Sequence, residues 1–160
     1  MSFFSGIMND KKGATLIEII IAITIVGILT LIVFSAFSPA NSREALDKKT
    51  VLALSLLSQA RNQTLSAKGA LAYGVHFETT KAVLFNGPTY SSSVSSNVVE
   101  PMGNLVQISD ISLSGGGSDV VFNRLTGETS QSGTITLSLI ASSTQTKTVT
   151  IFGTGISQSN

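Results

Sequence analysis

An almost unbroken apolar run over residues 14–37 is the feature that most constrains how this chain can fold. It directly follows two cations and a glycine, Lys11, Lys12 and Gly13. As a helix the run would be roughly 36 Å long at ~1.5 Å per residue, enough to cross the ~30 Å hydrocarbon core of a bilayer once with slight tilt. Because cations flank its N-terminal end, we predict that this end stays cytoplasmic and that the rest of the chain is exported.

One carboxylate, Glu18, interrupts the apolar run near its start. A charged side chain in the middle of a membrane helix costs about 2.5–3.5 kcal/mol on insertion scales, so such groups usually have a partner and a function. The residues alone leave two explanations open. The carboxylate lies at the helix end and reaches the lipid interface, or a cation from another molecule neutralises it.

The composition narrows the class of protein. The 160 residues leave room for one modest domain beside the apolar run. Charged residues make up 12 %, about half of the ~25 % usual in a soluble domain, which fits a chain partly buried in lipid or in an assembly. A net charge of +1 predicts little long-range attraction for nucleic acid. The absence of cysteine excludes disulfides, thiolate metal sites and cysteine nucleophiles.

No sequence pattern is typical of an active site. His76, the one histidine, lies in an alternating strand pattern without a second histidine or a cysteine to complete a zinc site. The glycines of residues 115–117 precede no Gly-Lys-Ser/Thr, so we expect a flexible turn and no phosphate loop. Asp110 and Asp119 could approach one another and bind calcium, although the usual density of oxygen ligands is missing. We predict no catalytic residue, no metal site and no cofactor, and therefore no enzyme.

The segment around Gly13 resembles the class III leader of type IV pilins and type II secretion pseudopilins. The resemblance rests on Lys11, Lys12 and Gly13, on the Ala-Thr-Leu-Ile-Glu of residues 14–18, and on the long Ile/Val/Leu stretch that follows. In that family a membrane prepilin peptidase cuts before the apolar segment and methylates the new N-terminus. The resemblance implies a leader over residues 1–13, cleavage between Gly13 and Ala14, and N-methylation of Ala14. At the position of Ala14 the family more commonly has Phe or Met.

The same resemblance implies roles in subunit assembly for two further residues. Glu18 matches the family's acid at the fifth mature position, and Thr15 matches its usual threonine at the second. The ammonium group on Ala14 of a neighbouring subunit would neutralise Glu18 and fix the axial register. The implied partners are other pilin or pseudopilin subunits, prepilin peptidase, the inner-membrane assembly platform and membrane lipid.

A second helical pattern follows Pro39. We predict one long helix from Thr15 to about Lys68, kinked or locally melted at Pro39, with its end at Lys68 and Gly69. Residues at spacings of three and four predict a face that packs on a sheet. This face consists of Leu46, Thr50, Ala53, Leu54, Leu57, Ala60, Thr64 and Leu65.

The remaining residues alternate in short stretches typical of antiparallel β structure. The predicted strands are a hairpin over residues 71–77 and 81–85, a strand with a local break over 105–108 and 110–113, a strand at 120–122, and a hairpin over 134–140 and 147–152. The predicted fold class is α+β and pilin-like. A membrane or filament-core helix (residues 14–38) continues as an amphipathic helix (39–69), which packs on a β head (70–160).

The head also resembles one branch of the family, the pseudopilin H and FimT-type minor pilins. That resemblance rests on the order in which four features follow one another along the head. They are residues 73–77, residues 120–122 with Gly127 five residues later, two Thr-rich strands, and residues 153–156. Its missing cysteines depart from major pilins that close a C-terminal loop with a disulfide, so no such loop is expected.

These observations favour a minor pilin or pseudopilin, cleaved and N-methylated, which assembles into a type IV pilus or a type II secretion pseudopilus. Its head would lie in the periplasm or outside the cell. One alternative is a DNA-binding minor pilin of a competence system, but the basic residues are scattered and we expect no nucleic-acid partner. Others are a membrane-anchored β domain that never polymerises and keeps residues 1–13, and a secretory signal cut near residues 35–40.

Overall fold

The computed structural model describes residues 13–66 and 71–160, and for residues 34–40 it describes the backbone only. Two sets of predictions therefore lie outside the described residues: the leader with its cations Lys11 and Lys12, and the helix end at Lys68 and Gly69. The chain divides into two compact units, Met1–Ser38 and Pro39–Asn160.

A single helix, α1 (Leu16–Leu65), accounts for most of the predicted helical region. It begins directly after Thr15 and ends at Leu65, three residues before the predicted end. Its backbone stays helical through Pro39, so the local melting that we allowed for there does not occur. A proline removes one hydrogen bond, while the turns on either side of it keep theirs. The kink at Pro39 stays a prediction.

Within the first unit, the described side chains of α1 are apolar apart from Glu18, Thr24 and Thr30. Its stretch Leu16–Val33 has a mean hydropathy of 2.9, and none of that stretch is buried. The Thr24 hydroxyl donates to the carbonyl of Ile20 at 2.8 Å, and the Thr30 hydroxyl donates to that of Val26 at 2.7 Å. Because both hydroxyls bond within the helix, they can enter an apolar medium without losing their partners. By length and composition this stretch can span a membrane.

Within the second unit, α1 buries one stripe of side chains. The predicted positions that are buried are Leu46, Thr50, Ala53, Leu57, Ala60 and Thr64. Of the other two, Leu54 is half-buried and Leu65 is 38 % exposed, whereas Leu56, which the spacing left out, is buried. The stripe is therefore shifted slightly toward Leu56.

Eight strands follow the helix and form two four-stranded sheets. They are β1 (Tyr73–Glu78), β2 (Lys81–Asn86), β3 (Val98–Pro101), β4 (Val106–Leu113), β5 (Asp119–Val121), β6 (Gly133–Leu139), β7 (Ser142–Ile151) and β8 (Ser157–Ser159). The first sheet has the order β3-β2-β1-β5 and the second has the order β4-β6-β7-β8. All strand pairs are antiparallel, as predicted.

The first sheet contains the predicted hairpin of β1 and β2, with Glu78 opposite Lys81. Its outer strand β3 was not predicted. β3 is only four residues long, ends in Pro101, and leaves Val98 and Val99 exposed, so it has no buried alternation for a sequence pattern to detect. Its partner β2 supplies the burial, since all four central residues of β2 are buried.

The second sheet contains the predicted break, which is a shift of register between Ile108 and Asp110 on β4. The last hairpin differs from the prediction, because β7 begins at Ser142 and not at Lys147. Residues 142–145 are polar and resemble a loop in sequence, yet Ser142 pairs with Leu139 across a register shift. Strand β8 was missed because it contains no apolar residue.

The core of the second unit lies between α1 and both sheets. Leu57 of α1 shares one buried cluster with Phe77 of the first sheet and with Ile135 and Leu137 of the second. The backbone also joins the two sheets, because the N–H of Ile108 donates to the carbonyl of Thr79 at 2.9 Å. The helix thus covers the apolar faces of two sheets, whereas the sequence suggested one.

Candidate functional site

The predicted processing junction lies in non-helical, exposed backbone. Gly13, Ala14 and Thr15 all precede α1 and are exposed. Among the described residues beyond its chain neighbour, no atom lies within 4 Å of the position that a Cβ on Gly13 would take. Within the described residues, the backbone at Gly13 and Ala14 is therefore exposed.

Thr15 caps the N-terminus of α1, and Glu18 lies in the first turn. The Glu18 N–H donates to the Thr15 hydroxyl at 3.3 Å and to the Thr15 carbonyl at 3.1 Å. A threonine followed three residues later by glutamate is the sequence of a capping box, in which the hydroxyl satisfies an orphan N–H of the first turn. The sequence interpretation missed this role, although the Thr-x-x-Glu spacing was there to indicate it.

Glu18 is an exposed carboxylate on an exposed apolar helix. Its neighbours Ile17 and Ile19 are 66 % and 51 % exposed, and Ile21 is 53 % exposed. Among the residues that the structure describes, none forms an ion pair with Glu18. The helix N-terminus carries a partial positive charge that favours an acid in this turn, at about 0.3–1 kcal/mol. That is less than the cost of placing the charge at mid-membrane, so the helix N-terminus alone would not offset full burial of this carboxylate in lipid.

The structure brings three of the predicted residues together, since Ala14 directly precedes the cap Thr15 and Glu18 follows one turn later. Pro39, the predicted kink, is a helical residue of the second unit.

His76 belongs to a cluster of polar and aromatic side chains on the first sheet. Its Nδ1 lies 2.5 Å from Asp119 Oδ1 and its Nε2 lies 3.3 Å from Glu78 Oε1, while its ring stacks on Tyr90 with centroids 3.9 Å apart. Asp119 is thus engaged by His76, and Asp110 lies in the other sheet. Among the described residues, no group of three or more His, Cys, Asp or Glu side chains is arranged to hold a metal ion.

One comparison with known proteins gave a match, and it lies in the N-terminal segment. Residues 8–34 match the prokaryotic N-terminal methylation motif. Neither the curated proteins nor the solved structures gave a match. The matched residues include the junction, Thr15 and Glu18, and they end before the head begins.

The N-terminal segment therefore has the features of a type IV pilin-like precursor that prepilin peptidase processes. The motif supports the type IV pilin and pseudopilin family, and the exposed apolar helix is consistent with membrane anchoring. The motif does not extend to the head, so the resemblance to pseudopilin H and FimT stays a prediction.

Proposed function

We propose that this chain is a minor pilin or pseudopilin, a subunit that assembles into a type IV pilus or a type II secretion pseudopilus. The observation that carries the proposal is a carboxylate, Glu18, on an exposed apolar helix within the matched methylation motif. No described residue pairs with it. A filament of such subunits would supply the missing cation from another copy.

Cleavage after Gly13 has a direct electrostatic consequence. It leaves Ala14 as the N-terminal residue and converts its peptide nitrogen into an ammonium group, which N-methylation leaves positively charged. The ammonium of one subunit then pairs with Glu18 of its neighbour and satisfies both charges in an apolar environment. Thr15 supports this contact by capping the helix on which Glu18 lies.

The head serves as the part of the subunit that other proteins contact. In the membrane the N-terminus faces the cytoplasm and the head lies on the periplasmic or outer side, in line with the cations Lys11 and Lys12. Several head cations already have intrachain partners, such as Lys147 with Asp47 at 3.2 Å. These contacts favour a structural role over nucleic-acid binding.

N-terminal mass spectrometry on the chain purified from its native membranes tests the processing step. We expect a first peptide that begins at methylated Ala14. An intact Met1 end would overturn the proposal and favour the plain membrane anchor.

The assembly step is tested by Glu18→Ala, with Glu44→Ala as the matched control. Glu44 is an exposed carboxylate on the same helix and pairs with Lys48 at 2.8 Å. We expect Glu18→Ala to reach the membrane and lose its N-terminal leader, but to be absent from isolated filaments. Glu44→Ala should enter filaments normally. Normal incorporation of Glu18→Ala would exclude the proposed role of Glu18.

A further inference from the structure

A cleft of about 260 Å³ lies between α1 and the chain that connects β7 to β8. The described residues that line it are Leu54, Ser58 and Arg61 of α1, together with Gly155, Ile156 and Ser157. The three helix residues are spaced by four and three positions, so they lie on one face of α1. Arg61 is the one charged residue among these lining residues, and we call the site the Arg61 cleft.

The guanidinium group of Arg61 is held in place by two loops. The residue is half-buried, and its Nε donates to the Gly127 carbonyl at 3.2 Å. A Cβ on Gly127 would lie 3.1 Å from this nitrogen, and a Cβ on Gly155 would lie 3.0 Å from it. Because both positions are glycine, the backbone of the two loops approaches the guanidinium closely and fixes its position.

Most of the hydrogen-bonding capacity of Arg61 is not used by this contact. A guanidinium has five N–H donors, and the bond to Gly127 takes one of them. Among the described residues, none accepts a hydrogen bond from the two Nη groups and none forms an ion pair with Arg61. A contact that only tied the helix to the turn would need the Nε alone. The remaining donors therefore point to an acceptor that the described chain does not supply.

The charges around the cleft leave Arg61 to set its sign. The turn that contains Gly127 also carries Arg124 and Glu128, which are both exposed and have opposite charges. In the described part of the chain, neither of these two residues forms an ion pair. Their effects at a distance largely cancel, whereas Arg61 lines the cleft itself. We therefore expect the cleft to attract an anion that carries one negative charge.

The other lining groups narrow the chemistry of this anion. The hydroxyls of Ser58 and Ser157 have no hydrogen-bond partner among the described residues. Leu54 is half-buried and Ile156 is 57 % exposed, and both offer apolar surface. A planar guanidinium fork matches the two oxygens of a carboxylate. A phosphate group would carry more charge than one arginine neutralises, and it would leave the apolar walls uncovered.

We propose that the Arg61 cleft binds an organic carboxylate that carries a short aliphatic group. The carboxylate accepts two parallel hydrogen bonds from the Nη groups of Arg61, while the Nε stays on Gly127. The two serine hydroxyls donate to the same carboxylate, and the aliphatic group covers the apolar walls. The cleft volume of about 260 Å³ corresponds to about nine water molecules at ~30 Å³ each, so the ligand has about that number of non-hydrogen atoms. Such a carboxylate belongs to a free acid or to the C-terminus of a polypeptide whose last residue is aliphatic.

Nuclear magnetic resonance of the ¹⁵N-labelled full-length chain in detergent micelles tests the proposal. The probe is 4-methylpentanoate, titrated at pH 7 and constant ionic strength, and the backbone amide signals of Ile156 and Ser157 report binding. We expect saturable shifts with half-saturation on the order of 1 mM, as is common for ligands of this size. The uncharged 4-methylpentanamide, which has the same aliphatic group, should cause no saturable shift. Equal binding of the amide, or no saturable shift with the acid, would overturn the proposal.

Two variants assign the binding to the lining residues. Arg61→Lys keeps the charge but loses the fork, and we expect at least tenfold weaker binding. Because this variant also loses the bond to Gly127, Ile156→Ser provides a second test at an exposed position, where removal of the apolar wall should weaken binding about threefold to tenfold. Arg124→Lys is the matched control and should bind like the unaltered chain. Unchanged affinity in both Arg61→Lys and Ile156→Ser would exclude the cleft as the site.

Glu128 is the acid of this chain that could itself reach Arg61, and Glu128→Gln tests whether it does. Since no ion pair joins the two residues, we expect the affinity for 4-methylpentanoate to change by less than about twofold. A tenfold tighter affinity would show that the Glu128 carboxylate fills the cleft in the unaltered chain. That result would overturn the proposal of an external ligand.

A dipeptide with a free C-terminus, N-acetyl-alanyl-leucine, distinguishes the two sources of the carboxylate. Binding at least as tight as that of 4-methylpentanoate, with no binding of the C-terminal amide form, would assign the cleft to the end of a polypeptide. Binding of 4-methylpentanoate alone would assign it to free acids. The inference does not depend on the proposed function, so its failure would leave the assignments of Ala14 and Glu18 unchanged.

Discussion

The backbone N–H of Glu18 donates a hydrogen bond to the side-chain hydroxyl of Thr15, 3.3 Å away. The two residues that the sequence assigns to subunit assembly are thus also partners at the start of α1. Their contributions to assembly and to helix stability must therefore be measured separately.

Replacement of the cap, Thr15→Ala, should loosen the first turn of α1. Loss of a threonine cap costs about 1 kcal/mol, which corresponds to about a fivefold faster amide exchange at Glu18. Hydrogen exchange on the full chain in detergent micelles measures this. In Thr15→Ser, which keeps the hydroxyl, the Glu18 amide should exchange as fast as in the unaltered chain. If the Glu18 amide of Thr15→Ala also exchanged at that rate, the cap would contribute nothing to the stability of the first turn.

Substitution at the junction, Gly13→Glu, should block removal of the leader. The backbone at Gly13 is exposed and has open space around it, so a glutamate would fold normally yet present a charged side chain to the peptidase. Electrophoretic mobility of the membrane-bound chain reports the result. Gly27→Ala is the control, because Gly27 also has open space around it. A Gly13→Glu chain with the mobility of the mature form would place the cleavage elsewhere.

Truncation in the core, Leu57→Ala, should lower the free energy of unfolding of the head by about 2–5 kcal/mol. Leu57 is 1 % exposed and packs between α1 and the sheets. Urea unfolding of the full chain in micelles can be followed by tyrosine fluorescence, since the chain has two tyrosines and no tryptophan. Val51→Ala, at a position that is 63 % exposed on the same helix, should change stability by less than about 0.5 kcal/mol.

A pair of glycine substitutions separates backbone strain from steric clash. Gly155 and Gly116 have similar φ values of +77° and +75°, but a Cβ on Gly155 would lie against the Gly127 carbonyl oxygen, whereas Gly116 has open space. Gly116→Ala should cost about 1–2 kcal/mol from conformation alone. Gly155→Ala should cost clearly more by the same urea measurement. Equal losses of unfolding free energy in the two variants would mean that the loops around Gly127 and Gly155 move apart easily.

Relief of strain at Leu125 should stabilise the head. Leu125→Asn removes an 87 % exposed side chain from a left-handed position, and we expect a gain of about 0.5–1 kcal/mol in the free energy of unfolding. The same urea experiment measures it. A loss of stability would instead show that Leu125 makes contacts that the head needs.

The sequence predicted those elements whose signal is local. The hairpin of β1 and β2 was found because apolar alternation flanks a short turn, and the break in β4 was found because the alternation changes phase near Ser109. The start of α1 was found from the apolar run itself. The strands β3 and β8 were missed, because their residues are exposed or polar and become strands only by pairing with a neighbour already in place.

The residues by themselves determined the processing motif, the apolar helix and the lone acid within it, since each depends only on local order along the chain. Only the tertiary structure decided that the head has two sheets and that Leu125 is held exposed at the tip of a turn. These features depend on contacts between residues that are distant in sequence. The same local pattern allows several strand arrangements, and the pairing of strands across the fold selects one of them.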